Sequence, residues 1–398
     1  MKRSLICLYS LFLLTSCSCS KIDTFGVSPE SRLAINKGES AYVYSEGLQY
    51  LPKYGNTIIA HTSLLIDNDK VEDDRLCAIN LKTGKEVWLF PDNKNTHFGY
   101  TFNGFSYIYN NYLVFKYLKN CGDIKQYTIL CLDLDTGNVI WERSELLNNY
   151  GSYISVHGWR NYVIFTENNK RIYRLDIGTK EVTLLYEASE AEICHFKIDK
   201  DNLLFFEDTK ILLSDEYMDY YYQNEAVILN LETEEEVFRY RIEPNMGRYI
   251  GNGILQDGIL YANVDTYLTA VDVETGRQLW ERNDPEAYIL EDLIVYNGVV
   301  LKCGGNSTYG YNAQTGELLY KYDNFGSHYT TRHGKYAYMV TNAGWLAVID
   351  IATGRIDKRI DCPDEMFFGS YPTFYGDKMY IMGLPNYLYC YSVDKMER

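Results

Sequence analysis

Basic residues are in deficit. The 398-residue chain has 38 Lys+Arg against 54 Asp+Glu, a formal net charge of −16, which argues against nucleic acid and anionic membrane surfaces as partners. Proline (8) and histidine (6) are scarce too. After residue 14 no stretch approaches 18 consecutive apolar residues, so the body of the chain offers no membrane-spanning helix. There is no Cys-x-x-Cys, adjacent Cys pair, Gly-x-Ser-x-Gly, His-Glu-x-x-His or P-loop. A zinc knuckle, a thiol redox pair and the common hydrolase motifs therefore find no support. A sustained 3.6-residue apolar period is also missing, which removes the main helix signal. What is abundant is tyrosine, 39 residues within a 15% aromatic content, and tyrosine suits pleated strands and half-wet surfaces. With 46% apolar residues and 29 Gly, the composition is that of an ordered, β-rich globular chain.

Lys2 and Arg3 precede an apolar run from Leu5 to Leu14, the layout of a secretory signal. The run ends in Leu14-Thr15-Ser16-Cys17, which resembles a bacterial lipobox, with Cys17 the lipidated first residue of the mature chain. Cys19 fits worse because Ser16 stands where the apolar residue belongs; an ordinary signal peptide cleaved nearby is the alternative. Acyl chains contribute about 0.8 kcal/mol per buried CH₂, enough together to hold the protein at a membrane. Ser18, in place of Asp, implies outer-membrane sorting, and the lack of an acidic cluster over 18–23 implies a periplasm-facing protein, with the cell surface as the alternative. The expected organisation is a signal peptide (1–16), a lipidated tether (17–30) and one domain (31–398).

One pattern recurs seven times: Asp or Asn, two residues, Thr, Gly, three residues, then an aromatic. The anchors are Asn80, Asp133, Asp176, Asn230, Asp272, Asn312 and Asp350, and Thr follows three places later in every copy. Gly comes next as Gly84, Gly137, Gly276, Gly316 and Gly354, whereas Lys180 and Glu234 replace it in the third and fourth copies. An anchor oxygen can accept backbone N–H groups two or three residues on, and Gly supplies a positive φ, so the pattern reads as a hairpin turn. Lys180 and Glu234 would each cost on the order of 1 kcal/mol in that conformation, and their turns are expected to differ. Two places before the anchor stand mostly small or aliphatic residues, among them Ala78, Cys131, Ala270 and Gly310. Eight places after it stand Trp88, Trp141, Leu184, Phe238, Trp280, Tyr320 and Lys358. Large flat side chains there can fill the space between stacked sheets; Lys358 marks a junction expected to pack less well.

The anchors lie 38 to 54 residues apart, the length of a four-stranded propeller blade. Three strand-like runs precede each turn; those before the third are 153–156, 162–165 and 171–175. After the seventh turn, runs at 371–374, 378–382 and 387–392 build three strands of an eighth unit, whose outer strand is expected from residues 38–46. The expected fold is all-β: an eight-bladed β-propeller of four-stranded antiparallel blades, closed by an N-terminal strand that completes the last blade.

The copies LCAINLKTGKEVW (76–88), ILCLDLDTGNVIW (129–141) and LTAVDVETGRQLW (268–280) resemble the pyrroloquinoline-quinone-type propeller repeat, and the resemblance extends over essentially the whole mature chain. It implies turn and docking roles for Asn80, Gly84, Trp88, Asp133, Gly137, Trp141, Asp272, Gly276, Trp280, Asp350 and Gly354. It leaves function between two branches: quinoprotein dehydrogenases, which bind quinone and Ca²⁺ on the axis, and BamB-like outer-membrane lipoproteins, which bind proteins. Lipobox and length favour the second, and the vicinal Cys pair typical of the first is missing. The expectation is a monomeric, non-catalytic scaffold without cofactor or metal that binds an envelope protein, as in outer-membrane protein assembly. Glycan binding through Tyr-rich loops is the first alternative and a quinone-dependent dehydrogenase the second.

Other residues admit two readings. Cys121 and Cys131 could bridge, or stay free as buried thiols. His328 and His333 could hold a metal, or be ordinary histidines. The acidic stretch 67–74 lacks the sixth-place Gly and twelfth-place Glu of a Ca²⁺ loop and reads as a solvated hairpin loop. The long fourth repeat adds residues 208–224, with Tyr217, Tyr220, Tyr221 and Tyr222 beside acidic residues. These form a recognition rim, or simply lengthen a hairpin.

Overall fold

The computed structural model describes residues 31–34, 53–66, 70–83, 85–90, 101–121, 124–143, 156–214, 219–242, 250–264, 266–284, 293–304, 306–363, 367–383 and 387–397. Their strands form eight four-stranded antiparallel sheets in a ring, an eight-bladed β-propeller. Blades one to seven occupy residues 53–90, 101–143, 156–187, 192–242, 250–283, 293–323 and 327–360, each built from four consecutive strands. First strands of blades two to six touch their neighbours around the axis. The middle strands are predominantly apolar because neighbouring blades cover both their faces. Val299–Cys303, Tyr336–Thr341 and Leu346–Asp350 are buried at every position. The outer strand Lys85–Phe90 buries only Trp88 fully.

Each blade-to-blade interface has its own buried apolar cluster among the described residues. Blades one and two share Ala78, Trp88, Phe115 and Leu130. Blades eight and one share Ile58, Cys77, Met382 and Leu388, which seals the ring.

Blade eight takes three strands from residues 373–392 and its fourth from Ser31–Ala34. That fourth strand runs antiparallel to Tyr387–Ser392, with Ser31 opposite Cys390 and Ala34 opposite Tyr387. The N-terminal closure is therefore present, but its strand lies upstream of the expected 38–46, a segment outside the described residues. The expectation relied on a Gly-to-aromatic turn spacing, and a strand arriving from the far end of the chain follows no such turn.

Other expectations are corrected as well. Blade three begins with Val156–Trp159, set by pairing across the turn to Tyr162–Phe165. Residues 70–74 lie within a strand, Lys70–Asn80, and 67–69 fall outside the described residues. Cys131 is buried and free. It faces Val114, seven positions from Cys121 on the second strand of blade two, about 23 Å away at 3.3 Å per residue, beyond disulfide reach.

The junction of blades seven and eight, where Lys358 takes the aromatic place, is densely filled by Tyr338, Val348, Ile381, Tyr389 and Tyr391. A C-terminal helix, Val393–Glu397, adds Val393 and Met396 to that cluster. Tyr338 Oη donates to Glu397 Oε1 at 2.9 Å. The helix supplies the bulk that Lys358 does not.

Candidate partner-docking face

Consecutive antiparallel strands put all first-to-second and third-to-fourth turns at one end of the ring, the turn face, and all second-to-third hairpins at the other, the hairpin face. On the turn face, Asn80 Oδ1 accepts from Lys82 N (3.0 Å) and Thr83 N (3.1 Å). The same two bonds form at Asp133, Asp176, Asn230 and Asn312. Asp272 and Asp350 accept both the N–H and the hydroxyl of Thr275 and Thr353. These bonds, above all from Thr275 N–H, hold the Asp272 carboxyl below the usual carboxylate range. Thr recurs because its hydroxyl oxygen then accepts the N–H two residues on, as at Lys85, Asn138, Glu181 and Arg277.

The residue after Thr returns its N–H to the anchor carbonyl at 2.8–2.9 Å in six copies. Its φ lies between 61° (Glu234) and 75° (Gly354). Lys180, at 66°, and Glu234 thus adopt the glycine conformation, contrary to the expected change of turn. The shared hydrogen bonds, each contributing about 1 kcal/mol, outweigh strain of similar size at one residue.

Three outer strands latch onto the next blade's turn. Trp88 Nε1 donates to Leu134 O (2.8 Å), Trp280 Nε1 to Ala313 O (2.9 Å) and Tyr320 Oη to Ile351 O (2.7 Å). Their rings rest on Gly137, Gly316 and Gly354, where a Cβ would lie 2.5–2.7 Å from the ring. Trp141 packs with Ile177 and Val182 of blade three, the copy carrying Lys180. Its buried Nε1 has no partner among the described residues. At the next junction Leu184 replaces the aromatic, and Arg174 pairs with Glu234 at 2.7 Å instead. Gly84 lies outside the described residues.

On the hairpin face the blades differ. Second strands run 10, 10 and 13 residues in blades one, two and four, against 5 or 6 elsewhere. The excess projects about 13–23 Å beyond the neighbouring blades. In blade four the first strand pairs only as far as Asp208 and the fourth only as far as Asn224. Beyond them Lys210 faces Tyr222, Ile211 faces Tyr221 and Leu212 faces Tyr220 in a two-stranded ribbon. The hairpin is thus lengthened, with Tyr220, Tyr221 and Tyr222 in it; Tyr217, like Cys17, lies outside the described residues.

The ribbon stands on a charged clamp that sequence reasoning missed. Glu207 and Glu225 face each other across strands, an arrangement that repels unless a cation intervenes. Arg239 Nη1 donates to Glu207 Oε2 (2.6 Å) and Glu225 Oε2 (2.8 Å), while its Nη2 and Nε hold Glu236. Tyr186 of blade three donates to Glu207 Oε1 (2.8 Å) and accepts from Arg239 Nη2. Burial and Glu207 push its phenol up to about 12. Charged residues alternating within otherwise apolar strands were the available signal. On the ribbon's other side, burial, with Glu192 adding to it, raises Asp208 to about 7, although the Cys194 thiol donates to it at 3.4 Å.

Among the described residues no group of three or more His, Cys, Asp or Glu is arranged to hold a metal ion. His333 stacks on Phe374 at 4.4 Å, and the His328 side chain is outside those described. The sequence has no adjacent Cys pair, and among the described residues no donor group stands together to hold the Ca²⁺ of a quinone site.

Residues 224–364 match the family described as Outer membrane protein assembly factor BamB. The crystal structure of BamB from Moraxella catarrhalis is similar over 92% of this chain and 99% of its own, with 16% identity and a TM-score of 0.60. The computationally designed Ika8 protein is 13% identical over 90% of this chain and 98% of its own, TM-score 0.60. Quinohemoprotein alcohol dehydrogenase from Comamonas testosteroni is 11% identical over 92% of this chain and 76% of its own, TM-score 0.65. At these identities the likeness is one of fold. No curated protein matches the sequence significantly. Seven turn copies, a closed ring of eight blades and the family match over residues 224–364 together support a PQQ-like repeat β-propeller.

Proposed function

We propose that this propeller is a non-catalytic scaffold, anchored by lipid on Cys17 at the outer membrane and facing the periplasm, that docks an envelope protein on its hairpin face. Residues 1–16 act as the signal and 17–30 as the tether. The observation that carries this reading is the blade-four ribbon, which rises beyond its neighbours from the Arg239 clamp with neither edge covered by a further strand among the described residues. Open edges pair readily with an extended segment of another protein, and tyrosine adds apolar area and a hydroxyl at low entropic cost. The match to the outer-membrane assembly family favours barrel-assembly components as the partner.

A pulldown from detergent-solubilised membranes tests it, comparing the full chain with a variant in which residues 211–221 are replaced by Asn-Gly. Recovery of barrel-assembly proteins by the full chain, lost in the shortened one, supports the reading. Equal recovery by both, or tight oligosaccharide binding with no protein recovered, overturns it.

A further inference from the structure

The turn-face mouth of the axis has a different chemistry. A cavity of about 330 Å³ lies there between the first strands of blades four, five and seven. Lys197, Lys200 and Arg332 line it together with Asp199 and Asp257, and Leu204 contributes apolar wall. None of the three cations has a carboxylate partner among the described residues; Arg332 lies over the Tyr296 ring at 5.1 Å. Elsewhere Arg160, Arg171, Arg174, Arg239, Arg355 and Arg359 are ion-paired, whereas Arg277 and Arg282 form no ion pair among the described residues and stand apart from one another, one in a turn and one on a strand. In a chain with 54 acidic and 38 basic residues, unpaired cations converging on one concave mouth run against the composition. A cleft with low-dielectric walls focuses the field of such a group.

We propose that this mouth binds a small polyanion carrying two or more carboxylate or phosphate groups. Arg332 offers a planar fork to one acidic group, and Lys197 and Lys200 are mobile point charges for a second. The cavity stands at the lower end of small-ligand sites, which sets the size of the guest. The site lies at the opposite end of the axis from the hairpin ribbon, so it is independent of the proposed partner docking.

Calorimetric titration of citrate and pyrophosphate into the full chain tests the assignment. Saturable binding is expected, weakened about ten-fold by Arg332→Gln and by Lys197→Gln. Arg332→Lys keeps affinity within about three-fold, and the rim variant Arg359→Gln leaves it unchanged. Circular dichroism and thermal melting of each variant separate lost binding from lost fold. Absence of binding by both anions at about 10 mM, or binding unaltered in the Lys197→Gln/Arg332→Gln double variant, overturns the proposal. Binding of a glutamate-rich peptide with neither small anion bound also overturns it, in favour of a polypeptide ligand.

Discussion

At the scale of single residues, the latch makes a few small side chains indispensable. Gly310 lies opposite Tyr320, and a Cβ there would stand 2.2 Å from the ring. The ring cannot swing aside without giving up its bond to Ile351 O. Gly310→Ala is therefore expected to destabilise by about 1–3 kcal/mol in denaturant unfolding. An equal loss in a Tyr320→Leu background would show that the ring is not the cause. His157 yields a pH prediction. Burial, then Lys197 and Lys116, lower its imidazole from 6.5 to about 4. The folded chain thus keeps it neutral while the unfolded chain takes up a proton, so stability present above 6.5 is lost as pH falls toward 4. His157→Gln should flatten the stability profile in that window, and an unchanged profile would falsify the assignment. The latch pairs were legible in the sequence because they recur at fixed offsets. The Arg239 clamp was not, since its members come from three strands and Tyr186 of another blade, with no repeat to expose them.

At the scale of elements, the turn is the unit that repeats, and its hydrogen bonds carry it through two non-glycine copies. Lys180 holds a φ of 66°, so Lys180→Gly relieves about 1–2 kcal/mol of left-handed strain against about 0.4–1 kcal/mol of added unfolded-state entropy. A net stabilisation of about 0.5–1 kcal/mol is expected, read as a raised denaturant midpoint at constant slope. A lowered midpoint would mean that the lysine side chain makes contacts worth more than the strain. Turn positions were readable from sequence because each needs a short, local residue pattern. The C-terminal helix was not, because five residues are too few to display a period. Its place at the junction of blades seven and eight depends on the gap left beside Lys358, which is visible only once the blades are stacked.

For the whole molecule the decisive contact is the one between the ends of the chain. Blade number followed from counting anchors and the strands after the last of them. The closing strand was misplaced because pairing across the full length of the chain leaves no local mark. Its register is nonetheless specific: Ser31 lies opposite Cys390, on the middle strand whose edge would otherwise be open. Directly opposed residues of antiparallel strands stand about 4.5–5.5 Å apart at Cα, within the range a disulfide spans. Ser31→Cys should therefore cross-link to the native Cys390, which forms no disulfide, under mild oxidation, joining the termini covalently. In the chain-entropy account, tying off so long a loop stabilises by about 6 kcal/mol. The oxidised variant should melt well above its reduced form, and mass spectrometry of a digest should recover the linked peptides. If Cys390 instead remains a thiol while the fold is intact, the strand is not held at this register, and the ring is closed by side-chain packing between blades eight and one alone.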